Sequence, residues 1–125
     1  MNPEEILERF AIIANISITE SSPWIFLCEE AADDIISHLK DSACVNENSR
    51  RLTVAAASLA FYRYILCNSA NGSTASVGAG ELRIKTDSQA TVKHAYEVWL
   101  SAKRAISDLL RDDNFVFERI GYQCR

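Results

Sequence analysis

Histidine is scarce in this 125-residue chain, which carries only His38 and His94. Two isolated imidazoles leave little material for a Ser/His/Asp or Cys/His arrangement, in which the base must lie within hydrogen-bond reach of its nucleophile. His94 reads as a surface or boundary residue. The chain is therefore not expected to be an enzyme, and no catalytic residue is assigned. The four cysteines, Cys28, Cys44, Cys67 and Cys124, include no CxxC pair. Three lie within or beside apolar helical runs, where a reduced cysteine behaves as a small hydrophobe, so all four are expected as thiols. Cys28, His38 and Cys44 fit no usual zinc spacing, and neither metal nor cofactor is expected.

Long apolar runs are also missing. The longest, Leu52 to Cys67, contains Arg63 and falls short of the ~20 residues needed to span a bilayer, so no membrane partner is expected. The opening MNPEEILERF has no basic n-region, so no secretory signal is expected. Cationic clusters are absent too. The 13 basic residues are scattered, the net charge is -4 and the pI is about 5.1. That balance argues against a general nucleic-acid binder, whose affinity rests on phosphate-neutralising cations.

Proline and glycine are few, and both are placed with meaning. Pro3 follows Asn2, a capping residue, and Glu5 stands where a capping box needs it. Ile6, Phe10 and Ile13 continue a helical stripe that fades near Asn15. Pro23 follows Ser21 and Ser22 and opens a second helix with a Trp24, Cys28, Ala32, Ile35, Leu39 stripe. Its Glu29-Glu30 and Asp33-Asp34 pairs share a face, as a di-metal site requires, but no Glu-x-x-His faces them. They read as a solvated acidic face. A third helix, from about Ser49 to Asn68, is apolar almost all round and is expected to be central.

Three of the four glycines fall between Gly72 and Gly80, so residues 69–80 read as a flexible Gly/Ser-rich loop or arm. Gly78-x-Gly80 lacks the remaining glycine and the Lys-Ser/Thr of a phosphate loop. Beyond it, 81–86 alternates apolar and polar residues, the period-2 mark of a strand. A fourth helix follows, capped at Thr86, with a Val92, Ala95, Trp99, Ala102, Ile106, Leu109 stripe and i, i+4 pairs Lys93–Glu97 and Arg104–Asp108. Phe115 to Phe117 is β-prone and could pair with 81–86. The expected fold is mainly α: a single four-helix domain, residues 1–125, with a small two-stranded β element at about 81–86 and 115–120. Residues 121–125 form a C-terminal tail.

This order of parts, with the stretches AGELRIKTDSQATVKHAYEVW and DLLRDDNFVF, resembles the small head–tail connector (adaptor) proteins of tailed bacteriophages and prophages. The resemblance covers about residues 1–120 and implies a structural virion protein. Such a protein is assembled in the bacterial host cytoplasm and located at the head–tail junction. It implies self-association into a ring, a dodecamer, that docks under the portal protein and extends the DNA channel. A stopper or tail-completion protein docks beneath, and DNA passes without sequence-specific binding. Mapped onto this chain, the subunit and portal contacts fall on Gly78, Gly80, Leu82, Arg83, Ile84 and Lys85, and on Phe115, Phe117 and Arg119. The tail after Ile120 is short for reaching into a portal.

Two other readings compete. The fourth-helix stripe, ending in Leu109-Leu110, suits a small interaction or regulatory module dimerising through that helix. A helix-turn-helix reader would need a basic recognition helix, and the only candidate, starting at Arg50-Arg51, is too apolar.

Overall fold

A computed structural model describes the backbone of residues 1–75 and 80–111, and side chains for 1–68 and 91–111. The elements run α1 (Pro3–Ala14), α2 (Ile18–Ser21), a 3-10 turn (Ser22–Trp24), α3 (Ile25–Ser37), α4 (Ser49–Ala75), α5 (Gly80–Ala105) and a second 3-10 turn (Ser107–Leu109). The mainly helical class is as expected, with four helices longer than ten residues among the described residues.

The ends of α1 follow from its cap residues. Asn2 Oδ1 accepts the Glu4 N–H at 2.9 Å, satisfying one of the donors that the first turn leaves unpaired. At the far end Asn15 sits at φ 58°, ψ 46° and donates its N–H to the Ala11 and Ile12 carbonyls. Asparagine tolerates this left-handed geometry, which stops the helix where its stripe fades. Ser17 then caps α2, accepting the Glu20 N–H at 3.1 Å. Of residues 15–22, expected to be a connection, 18–22 are instead helical turns that lead through Pro23 to the start of α3.

Helix α4 is the spine. Leu52, the run from Ala55 to Phe61, Arg63 and Cys67 are all buried. Seven consecutive residues cover every direction around a helix at 100° each, so α4 is enclosed on all sides here, as a helix apolar all round must be. Helix α5 folds back antiparallel along it: Arg51, near the start of α4, reaches Ala105 and Asp108 at the end of α5. Helices α1 and α3 pack on α4 and on each other, around Ile6, Phe10, Leu27, Ile35, Leu59 and Trp99. Phe10 meets Tyr64 edge-on at 5.3 Å, and Trp24 meets the same ring at 4.9 Å. Those contacts tie α1 and the start of α3 to the middle of α4.

Two expectations are corrected. The strand at 81–86 is instead the opening of α5, which begins at Gly80. At 100° per residue, helix positions 82 and 84 fall about 200° apart, so the alternation defines no common face. Six alternating residues weigh little against a helical register that continues for 20 more. Its expected partner, 115–120, lies outside the described residues, and the β element is not seen among those that are described. The arm expected at 69–80 is likewise helical through Ala75, while 76–79 lie outside the described residues. Helix–helix contact along a 27-residue rod outweighs the propensity cost of Gly72, about 1 kcal/mol.

Candidate functional site

One end of the molecule gathers three helix termini. Beyond α3, the backbone at 38–40 pairs with 109–111 in a single antiparallel bridge at Leu39 and Leu110. Lys40 N–H donates to the Leu109 carbonyl and Arg111 N–H to the His38 carbonyl, each at 2.8 Å. The Arg111 guanidinium also donates to the Ser37 carbonyl, one of the acceptors left free at the end of α3. His38 Nδ1 lies 2.8 Å from the Asp34 carbonyl, a separation that places the proton on Nδ1. His38 thus serves the end of α3, where Ser37 Oγ, 3.0 Å from the same Nδ1, donates its own proton to the Asp34 carbonyl.

Arg51 closes the other half of this end. Its guanidinium donates to the Ala105 carbonyl at 2.8 Å, to Asp108 Oδ1 at 3.0 Å and to Asn48 Oδ1 at 2.5 Å. One cation caps α5 and pins it to the start of α4. Asp108 was expected to pair with Arg104, but α5 stops at Ala105 and the i, i+4 register is lost before residue 108. The hydrogen bond from Arg51, and then its charge, hold the Asp108 carboxyl below the usual carboxylate range. A group with a depressed native pKa contributes stability above its unfolded value and loses it as pH falls through the native one. Arg51→Ala should therefore flatten the fall in melting temperature below about pH 4, read by circular dichroism. A native-like acid slope in that variant would rule the clamp out.

Asp34 departs from the solvated face assigned to it. It is a third exposed and takes a 2.6 Å bond from the Arg63 guanidinium, which is 4% exposed within α4. Glu29, Glu30 and Asp33 remain exposed on α3. Removing a partner from a buried charge costs more than losing a surface pair, because the survivor stays desolvated. Arg63→Met should lower unfolding free energy by about 1–3 kcal/mol, water at Asp34 limiting the loss. The double variant with Asp34→Asn should recover part of it in a denaturant titration, whereas strict additivity would mean that the two side chains do not interact.

A groove of about 610 Å³ lies between α1 and the first turns of α4. Its α1 wall is Glu5, Glu8, Arg9 and Ile12, spaced i, i+3, i+4 and i+7 on one face. Arg50 and Val54 contribute from α4, and Ile12 is 70% exposed. Among the described residues no group of three His, Cys, Asp or Glu is placed to hold a metal, and no single helix is long and apolar enough to cross a membrane.

The contact residues implied by the resemblance fall mostly beyond this geometry. Gly80, Leu82, Arg83, Ile84 and Lys85 lie in the first turns of α5, while Gly78, Phe115, Phe117 and Arg119 lie outside the described residues. Sequence reasoning missed the roles of Arg51, Arg63 and Arg111. Arg63 carried a signal, a lone cation within an apolar helix; the other two carried none. The cysteine expectation is corrected at one position: Cys28 and Cys44 are free, but Cys67 is disulfide-bonded. Pairing depends on which Cβ atoms the fold brings within about 4 Å, which spacing along the chain does not fix. In comparisons with known protein families, curated proteins and solved structures, no match to this chain is found.

Proposed function

We propose that this chain is a structural subunit of a tailed-bacteriophage or prophage head–tail connector, a ring component that docks under the portal and extends the DNA channel. The observation that carries the reading is the mismatch in helix lengths. Helices α4 and α5, of 27 and 26 residues, are about 40 Å rods, whereas α1 and α3, of 12 and 13 residues, are about 20 Å long. Among the described residues, α1 and α3 pack with the Leu52–Ile65 part of α4, and a subunit that meets copies of itself has use for a hairpin that runs beyond it. The sequence resemblance supplies the particular assembly, and the overall acidity, a net charge of -4, suits a channel along which DNA slides without sticking.

Burial of the fourth-helix stripe weighs against the competing dimeric module. Of the stripe on which it relied, Ala95, Trp99, Ala102, Ile106 and Leu109 are buried inside this chain. Mass in solution followed by negative-stain imaging, with and without a portal protein, tests the connector reading. Rings of many copies, alone or on the portal, are the expected result. A strict monomer or dimer that never forms rings with portal present would sink it.

A further inference from the structure

Among the described residues Arg63 is the one charged side chain that is buried, and it stands in the helix against which α1, α3 and α5 all pack. Its guanidinium donates across the core to Asp34 Oδ2 of α3 at 2.6 Å. An ion pair in such a place adds little net stability, because the desolvation of its charges offsets most of their attraction. Well-packed apolar groups of similar volume do as well or better. What the pair supplies is alignment, since any other arrangement leaves a buried guanidinium short of its acceptor.

The apolar surroundings specify alignment weakly. The buried face of α3 is Leu27, Cys28, Ala31, Ala32 and Ile35, and the same core holds Ala55, Ala56, Ala57 and Ala60 of α4. Alanines let helices lie close but offer no long side chain to interdigitate, so packing there separates neighbouring registers poorly. A one-residue shift moves a helix by about 1.5 Å and turns it by about 100°, and a one-turn shift moves it by about 5.4 Å. Either takes the Asp34 carboxylate out of hydrogen-bond reach of Arg63.

We propose that the Arg63–Asp34 pair sets the register of α3 on α4, selecting one alignment of two faces that apolar packing alone leaves free to slide. This role is independent of the connector reading. Trp24, immediately before α3, reports it. Its ring meets Tyr64, the neighbour of Arg63 on α4, edge-on with centroids 4.9 Å apart, and a one-turn slide of α3 parts the two rings. Trp99 lies in α5 and is the only other tryptophan, so the indole region of a proton–nitrogen correlation spectrum holds one moving signal and one control.

Arg63→Met combined with Asp34→Leu tests the role. The double variant should keep the native circular dichroism and melt within a few degrees of the native chain. Its Trp24 indole signal should split or broaden, the shifted register rising from below about 1% of molecules to above about 10%, a tenfold change or more. The Trp99 signal should stay single and sharp. Asp34→Glu, which keeps the carboxylate, should give two sharp signals. Should the double variant lose its native spectrum, Asp34→Asn takes its place, removing one charge and little volume, and the same broadening at Trp24 is expected.

A sharp, unshifted Trp24 signal in the variant would mean that the bridge at Leu39 and Leu110 and the apolar face hold the register without the pair, and would overturn the proposal. Broadening of Trp24 and Trp99 together would mark a general loosening of the core, and would also overturn it.

Discussion

Replacing Trp99 by alanine is expected to destabilise the chain by about 3–5 kcal/mol, the range for deleting a large buried aromatic side chain. Trp99 is 1% exposed and is the largest side chain wholly within the core. It sits in the buried stripe of α5 between Ala95 and Ala102, where both neighbours are too small to fill the space it would leave. Rigid helices on either side limit collapse into that space, and an unfilled cavity adds to the lost transfer energy. A domain of this size holds about 5–15 kcal/mol in total, so the loss is about a fifth or more of it. The melting temperature should fall by about 10–20 °C, with His94→Ala, exposed on the same helix, as a control near zero. A Trp99→Ala chain melting within a few degrees of the native one would show that α5 does not pack as described.

The second large effect is chemical. Cys28 is fully buried in α3 between α1 and α4, and burial, followed by the Glu29 charge, pushes its thiol up from 9.0 to about 12. At pH 8 only about one such thiol in 10⁴ is ionised, and the thiolate is the species that alkylating reagents attack. Cys44 is free and exposed in the turn before α4. Iodoacetamide under native, non-reducing conditions should therefore modify Cys44 about 10³-fold or more faster than Cys28, read by peptide mass mapping. Cys67 should label only after reduction. Rapid modification of Cys28 in the folded chain would contradict its burial.

The same residue predicts an alkaline limit. A pKa raised in the native state gives stability that is whole below the unfolded value and is lost as pH climbs through the native one. The chain should weaken between about pH 9 and about pH 12, and Cys28→Ala should remove that part of the decline.

Much of this architecture is written locally. Asn2 with Pro3, and Asn15 at the other end, mark out α1 because caps act through backbone groups within one turn. The all-round apolarity of residues 52–67 announces a central helix, since no face of it tolerates water. The α5 stripe names its own buried residues for the same reason. Local signals fail where two of them compete: 81–86 has a strand's alternation and 69–75 a loop's glycine and serines, yet both lie in long helices. There, contact between α4 and α5 decides, because packing along two long rods exceeds propensity differences of a kcal/mol or less per residue.

By itself the sequence determined the helical class, the starts of α1 and α4, the central place of α4 and the acidic, exposed character of Glu29, Glu30 and Asp33. Only the tertiary structure decided which charges leave the solvent. Arg63 reaches Asp34 across 29 residues, Arg51 reaches Asp108 across 57, and Arg111 closes on Ser37 across 74. The groove flanked by Arg9 and Arg50 also exists only once α1 lies beside α4. Periodicity reports how a residue stands to its own helix axis, whereas an ion pair or a groove depends on distances between helices, which no pattern along one of them contains.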